Sequence, residues 1–196
     1  MAKLYFKYGA MGSAKTAQVL ITKFNYEERG MDVWLIKPSA DDRDGLNFLT
    51  SRIGLTAMCD ALTPSVDIYE RFTSEHQECN VIIADECQFF SKEQIDQLRR
   101  IVDEFDIPVL CFGIRTDFLT RLFEGSARLF EIADTISEIK AMCECGSKAT
   151  VNARLDEHGE VITEGEQIFL GGNESYMAMC HKCYTERIRA KRNADQ

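Results

Sequence analysis

The stretch KLYFKYGAMGSAKT, residues 3–16, decides the fold. Its first six residues are mostly apolar and predict a strand over residues 3–8. The following GAMGSAKT, residues 9–16, matches the phosphate-binding pattern GxxxxGK[ST] except at Ala14, where the pattern has its second glycine. Taken alone, the stretch leaves three interpretations open: a nucleotide site, a damaged nucleotide site, or a chance match.

A helix is predicted directly after this loop. Its apolar face, at helical spacing, is formed by Ala17, Leu20, Ile21 and Phe24. A phosphate loop requires this order of strand, loop and helix, because the main-chain N–H groups at the helix start face the phosphate. Lys15 would then reach the β- and γ-phosphates, and the Thr16 hydroxyl would ligate Mg²⁺. The alternative is an ordinary glycine turn in front of a helix.

The segments that follow continue the alternation of strands and helices. Apolar runs predict further strands over residues 32–36, 80–86 and 107–114, and Ser91 is expected to cap a helix over residues 92–105. The inner stripe of that helix is formed by Ile95, Leu98, Ile101, Val102 and Phe105. This order predicts an α/β fold, a mostly parallel sheet with flanking helices like that of the P-loop NTPases.

Two acids stand at the end of the predicted strand over residues 80–86. In open α/β sheets, ligands bind at the carboxyl ends of the strands, so Asp85 is well placed to hold Mg²⁺ and Glu86 to act as a general base. The alternative is that acids often end strands without a chemical role. A phosphate loop followed about 70 residues later by such a strand favours phosphoryl transfer over either motif alone.

The composition changes after Lys140, and two cysteine pairs follow. Cys143 and Cys145 form a CxC pair, and Cys180 and Cys183 form a CxxC pair. Four thiolates brought together predict a structural tetrahedral Zn²⁺, although His181 competes with Cys183 as a ligand. The alternative, cysteines buried as small apolar side chains, fits the four single cysteines elsewhere better. We therefore predict two domains, over residues 1–140 and 141–196.

Charge and hydropathy exclude several classes of protein. The formal net charge of -9 argues against binding to a nucleic-acid polymer, which requires clustered Lys and Arg. No apolar run approaches the roughly 20 residues of a membrane span. The apolar N-terminal run is short and passes directly into the loop motif, unlike a signal peptide. These features predict a cytoplasmic protein without a membrane partner.

Three regions carry weaker signals. The segment SADDRDGLNFLTSRIG, residues 39–54, is polar with little periodicity and is predicted to be a loop near the site. His76 is expected to be a solvated residue at a helix end. The glycine-rich segment GEQIFLGGNESY, residues 165–176, is either a hairpin turn or a lid over a flat ligand, and the residues alone favour the turn.

The blocks GAMGSAKT, DECQFF, GIRTDF and GEQIFLGGNESY, together with the paired cysteines, resemble the thymidine kinases of the type found in the cytosol and in many bacteria. The likeness runs from residue 2 to about residue 187. It implies transfer of phosphate from ATP to the 5′-hydroxyl of thymidine, with Mg²⁺ required. It also implies a homotetramer and feedback inhibition by thymidine triphosphate.

The resemblance also assigns site residues. It implies that Glu86 is the catalytic base and that Asp41 and Arg43 lie near the phosphates. The implied ATP-binding residues are Gly9, Ala10, Met11, Gly12, Ser13, Ala14, Lys15, Thr16, Asp85, Glu86, Cys87 and Gln88. The implied thymidine-binding residues are Met11, Phe89, Ile114, Phe118, Phe169, Leu170, Gly171, Gly172 and Tyr176. The last five belong to a lasso loop in a small zinc-ribbon-like domain that closes over the nucleoside, so the resemblance favours a lid over a hairpin turn.

Two other functions remain open. One is a P-loop ATPase or nucleotide-dependent switch, in which Glu86 activates water and the zinc domain docks a partner. The other is a nucleotide-binding protein that has lost catalysis, for which Ala14 is the only support. If the main chain at residue 14 is right-handed helical, we expect the alanine to cost little.

Overall fold

A computed structural model describes residues 1–41, 45–168 and 175–194. The strands in these ranges are β1 (Leu4–Tyr8), β2 (Val33–Pro38), β3 (Phe48–Thr50), β4 (Thr56–Met58), β5 (Asp60–Leu62), β6 (Val81–Ala84), β7 (Val109–Gly113), β8 (Thr135–Glu138), β9 (Ala141–Met142), β10 (Lys148–Ala149), β11 (Val151–Arg154) and β12 (Tyr176–Met179). The α-helices are α1 (Lys15–Glu27), α2 (Ile68–Arg71), α3 (Lys92–Phe105), α4 (Glu124–Ile132) and α5 (His181–Ala194). A π-helical turn, Phe72–His76, extends α2, and a 3-10 turn spans Cys87–Phe89.

Six of the described strands form one parallel sheet in the order β5-β2-β6-β7-β1-β8. Each face of the sheet has its own apolar cluster: Ile82 packs with α3 on one face, and Ile83 packs with Leu20 of α1 on the other. Both isoleucines are fully buried, and burying such a side chain contributes about 1.5–3 kcal/mol. The α/β prediction is confirmed.

The two predicted helices differ in how well their buried faces were foreseen. Helix α3 has the predicted bounds, and Ser91 caps it through a capping box with Gln94. In α1, however, burial is confined to the first half of the helix, and Ile21 and Phe24 are 46% and 56% exposed. That part of the prediction was wrong, because the spacing of apolar residues identifies a face but not how much of the helix the sheet covers.

The segment over residues 39–54, predicted to be a loop, contains one strand of a hairpin. Strands β3 and β4 pair in antiparallel register, and Leu49 is 1% exposed in the core between α1 and the sheet. The fully buried Lys37 donates hydrogen bonds to the carbonyl oxygens of Gly45 and Phe48. The loop prediction was wrong because strands of three residues are too short to show a period in the sequence.

His76 is also not the solvated residue that was expected. Its ring stacks on Trp34 with 4.3 Å between ring centroids. Its Nε2 lies 3.2 Å from Oδ2 of Asp60, which also accepts a hydrogen bond from the Trp34 indole N–H. The three side chains together fasten β5 to the neighbouring β2.

Residues beyond 141 form a third apolar cluster of their own. The pairs β9–β10 and β11–β12 pack with α5 around Cys143, Ala153 and Tyr184. This cluster is much smaller than the larger of the two clusters of the main sheet and similar in size to the other. In the parts of the chain that the structure describes, no helix has the length and apolar character needed to cross a membrane.

Candidate active site

A cavity of about 510 Å³ lies at the carboxyl ends of the parallel strands. The loop after β1 forms one side, and the residues after β6 and β7 form the floor and the other side. This is the edge at which open α/β sheets bind ligands, and the volume is that of a typical small-molecule site. Among the predicted site residues, the cavity is lined by Met11, Gly12, Ala14, Lys15, Thr16, Glu86, Gln88, Phe89, Ile114, Phe118 and Tyr176.

The loop over residues 9–16 is folded tightly against the sheet. The N–H of Gly9 donates to the carbonyl of Gly113 on β7, and Lys15 Nζ lies 3.2 Å and 3.0 Å from the carbonyl oxygens of Gly9 and Ala10. Ser13 is 6% exposed, and its hydroxyl has no hydrogen-bond partner among the described residues. A buried orphan hydroxyl beside a lysine and a helix start fits a loop that holds an anion.

Ala14 occupies a left-handed conformation, with φ 60° and ψ 31°, directly before the start of α1. The condition under which the alanine would cost little, a right-handed helical main chain, is therefore not met. Left-handed geometry costs a residue with a Cβ roughly 1–2 kcal/mol, a cost that glycine does not have. The second glycine of the pattern is explained by this geometry, and the alanine tolerates it at some cost in strain.

Asp85 follows β6 and is completely buried. It accepts a hydrogen bond of 2.8 Å from the Thr16 hydroxyl, which joins the helix start to the strand end. Burial, reinforced by the neighbouring charge of Glu86, raises the pKa of Asp85 to about 7. A buried carboxylate beside a hydroxyl is a pair of hard oxygen donors, which fits the ligand preference of Mg²⁺.

Glu86 is held in an unusual conformation by its surroundings. Its φ of 51° is left-handed, a strain that clusters at functional sites. The Gln88 side-chain amide donates a hydrogen bond to the Glu86 carboxylate, and Gln88 Oε1 accepts from the main-chain N–H of Ile114. Because Ile114 fixes the oxygen of the amide, the Gln88 nitrogen must face Glu86. The buried Gln88 side chain, only 2% exposed, thereby directs the Glu86 carboxylate into the cavity.

The opposite side of the cavity is aromatic. The Arg154 guanidinium lies 3.8 Å from the centroid of the Phe118 ring and 5.3 Å from that of Tyr176. Arg154 also donates to the Tyr176 hydroxyl at 3.0 Å. A cation that contacts both rings helps to fix their positions. Together with Phe89, they form the walls of a slot for a flat ligand.

The four paired cysteines meet at one point. Their sulfur atoms all lie within 4.8 Å of one another, and Sγ of Cys145 and Cys180 are 3.7 Å apart. Sulfurs on a tetrahedral Zn²⁺ are about 3.8 Å apart, given Zn–S bonds of about 2.3 Å. The donor set therefore fits a structural zinc with Cys183 rather than His181 as the fourth ligand. Hydrogen bonds from Ser147 lower the pKa of Cys145 to about 6, which favours the thiolate that a metal needs.

A buried and a partly buried hydrogen bond join the C-terminal part to the cavity. Tyr184, next to Cys183, donates from its hydroxyl to the Phe118 carbonyl at 2.8 Å. Asn152 on β11 accepts from the Met11 N–H at 2.8 Å. The first bond fixes the aromatic wall and the second fixes the phosphate loop, so both sides of the cavity depend on the C-terminal part.

A family model described as "Thymidine kinase" matches residues 2–184. The chain belongs to the thymidine kinase family. Among its relatives, the thymidine kinase of Shewanella oneidensis is 46% identical over 190 residues, which are 96% of this chain and 99% of the relative. That of Vibrio cholerae is 45% identical with the same coverage, and that of Yersinia pestis is 43% identical over 192 residues, 97% and 98% of the two chains. The predicted family and the prediction of a kinase are confirmed.

Not all residues assigned through the thymidine kinase resemblance face the cavity. Phe169, Leu170, Gly171, Gly172 and Arg43 lie outside the described residues. The Cys87 side chain is fully buried in the core and donates to the Ala84 carbonyl, so only its main chain is near the site. Gly9, Ala10 and Ser13 belong to the loop but are not part of the described cavity lining. Asp41, 2% exposed, does line it.

Other side chains of this thymidine kinase family member form or support the cavity although sequence reasoning missed them. Asn152 and Arg154 stand on β11 and are 4% and 6% exposed; Asn152 lines the cavity, and Arg154 packs behind the lining residues Phe118 and Tyr176. Their only signal in the sequence was two polar residues in a short strand next to the first cysteine pair. Arg52, at the tip of the β3–β4 hairpin, also lines the cavity, and the segment that carries it was predicted to be an irregular loop.

Proposed function

We propose that this protein transfers the γ-phosphate of ATP to the 5′-hydroxyl of thymidine, with Glu86 as the general base. The observation that carries the proposal is the position of Glu86 between two unlike sides of one cavity. Lys15 and Thr16 stand on one side, and Phe118 and Tyr176 stand on the other. A phosphate donor and a flat acceptor would meet at this carboxylate.

The phosphate side supports ATP as the donor. Main-chain N–H groups at the start of α1 would face the phosphates, and Lys15 would exchange its contacts with Gly9 and Ala10 for phosphate oxygens. Thr16 and Asp85 would hold Mg²⁺, which supplies charge neutralisation to the transferring phosphoryl group. A buried Asp85 whose pKa is raised by burial gains most from a cationic partner.

The reaction requires one proton acceptor near the sugar. The Glu86 carboxylate takes the proton of the 5′-hydroxyl while the O5′–P bond forms and the bond from Pγ to the bridging oxygen of ADP breaks. The products are thymidine monophosphate and ADP. Gln88 keeps the carboxylate pointed at the hydroxyl, so the carboxylate loses less conformational entropy when the substrates bind.

The acceptor side supports a nucleoside base. Phe118 and Tyr176, braced by Arg154, would contact thymine, with Met11, Phe89 and Ile114 around it. We expect residues 169–176 to close over the base as a lasso and exclude water, which suppresses hydrolysis of ATP. Zinc on the four cysteines would anchor this lid, as part of a zinc-binding domain over residues 141–196.

Three further properties complete the proposal. Thymidine triphosphate would inhibit, since one continuous cavity offers contacts to both a thymine and a phosphate chain. The chain would form a homotetramer, and the exposed Ile21 and Phe24 on α1 support a subunit contact there. The protein would act in the cytoplasm on small molecules, without a membrane or nucleic-acid partner, as the net charge of -9 favours.

A nucleoside assay tests the proposal. Purified protein with Mg-ATP and each deoxynucleoside in turn is expected to form thymidine monophosphate, measured by chromatography of the labelled product. Absence of any phosphorylated thymidine would exclude the proposal. Release of phosphate from ATP at the same rate with and without thymidine would instead support a P-loop ATPase or switch. Binding of ATP without turnover would indicate a protein that has lost catalysis.

A further inference from the structure

The tip of the β3–β4 hairpin is a hydrogen-bonded turn beside the cavity, which Ser51, Arg52 and Ile53 line. Ser51 closes it: its N–H donates to the Leu55 carbonyl at 2.8 Å, and its hydroxyl accepts from the Leu55 N–H at 3.0 Å. Gly54 donates back to the Ser51 carbonyl at 2.9 Å. These bonds hold Arg52 at a defined place on the turn, although its side chain is exposed.

The base of the hairpin is anchored in the protein interior. Lys37, fully buried on β2, donates to the carbonyl oxygens of Gly45 and Phe48 at 3.1 Å and 2.8 Å. Leu49 packs with Val19 and Leu20 of α1, the helix that begins at the end of the phosphate loop. The hairpin and the phosphate loop therefore rest on the same helix, so their relative position is set by the core.

Arg52 faces the phosphate loop. One of its terminal guanidinium nitrogens, Nη1, lies 4.0 Å from the point that a Cβ on Gly12 would occupy. The same cavity is lined by Arg52, Lys15 and Glu86. Among the residues that the structure describes, none forms an ion pair or a hydrogen bond with Arg52. A guanidinium carries a planar set of donors that matches phosphate oxygens, and here that set is uncommitted.

We propose that Arg52 binds the phosphate chain of the nucleotide from the hairpin side of the loop, as a second cation beside Lys15. The inference rests on the proposed function in one respect, that the loop over residues 9–16 holds a nucleoside triphosphate. It assigns the hairpin a role in binding the donor rather than the acceptor, since Arg52 stands over Gly12 and the aromatic slot is formed by other elements.

The test compares nucleotide and nucleoside binding in matched variants. Titration calorimetry with a non-hydrolysable ATP analogue and Mg²⁺, and separately with thymidine, is run on the full chain and on Arg52→Ala, Arg52→Lys and Arg29→Ala. Arg29 is an exposed arginine just past the end of α1, outside the described cavity lining. We expect Arg52→Ala to weaken binding of the analogue at least about tenfold, given the strength of charge-assisted hydrogen bonds.

Binding of thymidine to Arg52→Ala is expected to change less than about twofold, and Arg52→Lys is expected to keep part of the affinity for the analogue. Arg29→Ala is expected to match the unaltered chain in both titrations. Binding of the analogue by Arg52→Ala within twofold of the unaltered chain would overturn the inference, as would equal weakening by Arg29→Ala. Failure of the unaltered chain to bind the analogue would instead count against the proposed function. Because Arg52 is exposed, folding of the variants is checked simply by their thermal midpoints.

Discussion

The phosphate side and the aromatic side of the cavity are held in place by different means. The phosphate side consists of short connections at the ends of buried parallel strands, with Asp85 completely buried behind it. The aromatic side stands on small two-stranded sheets and on α5, whose apolar cluster includes two of the four clustered cysteines. The phosphate side is held by the core of the main sheet. The aromatic side is held by the C-terminal part, whose four clustered cysteines fit a metal ion.

Main-chain strain lies next to the buried sheet. Ala14 and Glu86, in the connections that follow β1 and β6, both have left-handed main chains, each costing about 1–3 kcal/mol. A sheet buried on both faces can hold such conformations, because its core over-determines them. The C-terminal part packs around a separate apolar cluster, to which a bound zinc would add stability.

The largest effect is expected from changing Glu86, where the two sides of the cavity meet. We expect Glu86→Gln to lower turnover at least about 100-fold, because a general base of this kind contributes about 10²–10⁴-fold. Binding of the ATP analogue is expected to persist. The measurement is steady-state kinetics with Mg-ATP and thymidine, with Glu28→Gln, an exposed acid at the end of α1, as the control. Near-normal turnover of Glu86→Gln would show that the base is another residue.

Loss of the metal is expected to separate the two sides. Cys183→Ser should lower the zinc content measured by atomic emission and weaken thymidine binding at least about tenfold, since ligand loss weakens structural zinc sites strongly. Binding of the ATP analogue should weaken less, because the loop rests mainly on the sheet and touches this region through the Asn152–Met11 hydrogen bond and the packing of Ala10. Cys59→Ser, outside the cluster, should keep its zinc. Equal weakening for both ligands would indicate global unfolding instead.

A smaller change tests the link between the cysteine cluster and the aromatic wall. Tyr184→Phe removes the hydroxyl that donates to the Phe118 carbonyl and leaves a buried acceptor unsatisfied, at a cost of about 1–3 kcal/mol. We expect thymidine binding to weaken several-fold while binding of the ATP analogue is unchanged, both measured by calorimetry. Tyr69→Phe is the control, because the Tyr69 hydroxyl bonds Glu104 at the surface. Unchanged thymidine affinity in Tyr184→Phe would mean that this hydrogen bond is not needed to position Phe118 for thymidine binding.

The smallest expected effect relieves strain on the phosphate side. Ala14→Gly should raise the free energy of unfolding by roughly 1 kcal/mol, because glycine adopts the left-handed conformation without a Cβ penalty. The matched control, Ala127→Gly inside α4, should lower it by a similar amount. Thermal denaturation measures both. A large gain in ATP affinity in Ala14→Gly would show that the natural loop is impaired, whereas a small one would show that the core compensates for the alanine.

The sequence predicted most of what depends on local pattern. Helix α3 was foreseen to the residue from its cap and stripe, and the strand ends carried Asp85 and Glu86 to the expected edge of the sheet. The cysteine pairs were recognisable from spacing, and the structure brings them together.

What could not be predicted depends on contacts between distant segments. No spacing rule reports that Gln88 is oriented by Ile114, or that Arg154 packs against both Phe118 and Tyr176. The conformation of residue 14 was also out of reach, because alanine favours right-handed helix and the surrounding loop overrides that preference. Pattern identified the chemical groups, and tertiary packing determined how each is aimed.

The stacked pair of Trp34 and His76 gives the protein an intrinsic optical probe. The chain contains a single tryptophan, so its fluorescence reports one place, the contact between β2 and β5. Neither ring belongs to the described cavity lining, and the signal is therefore expected to follow unfolding of the sheet without interference from bound nucleotide or nucleoside.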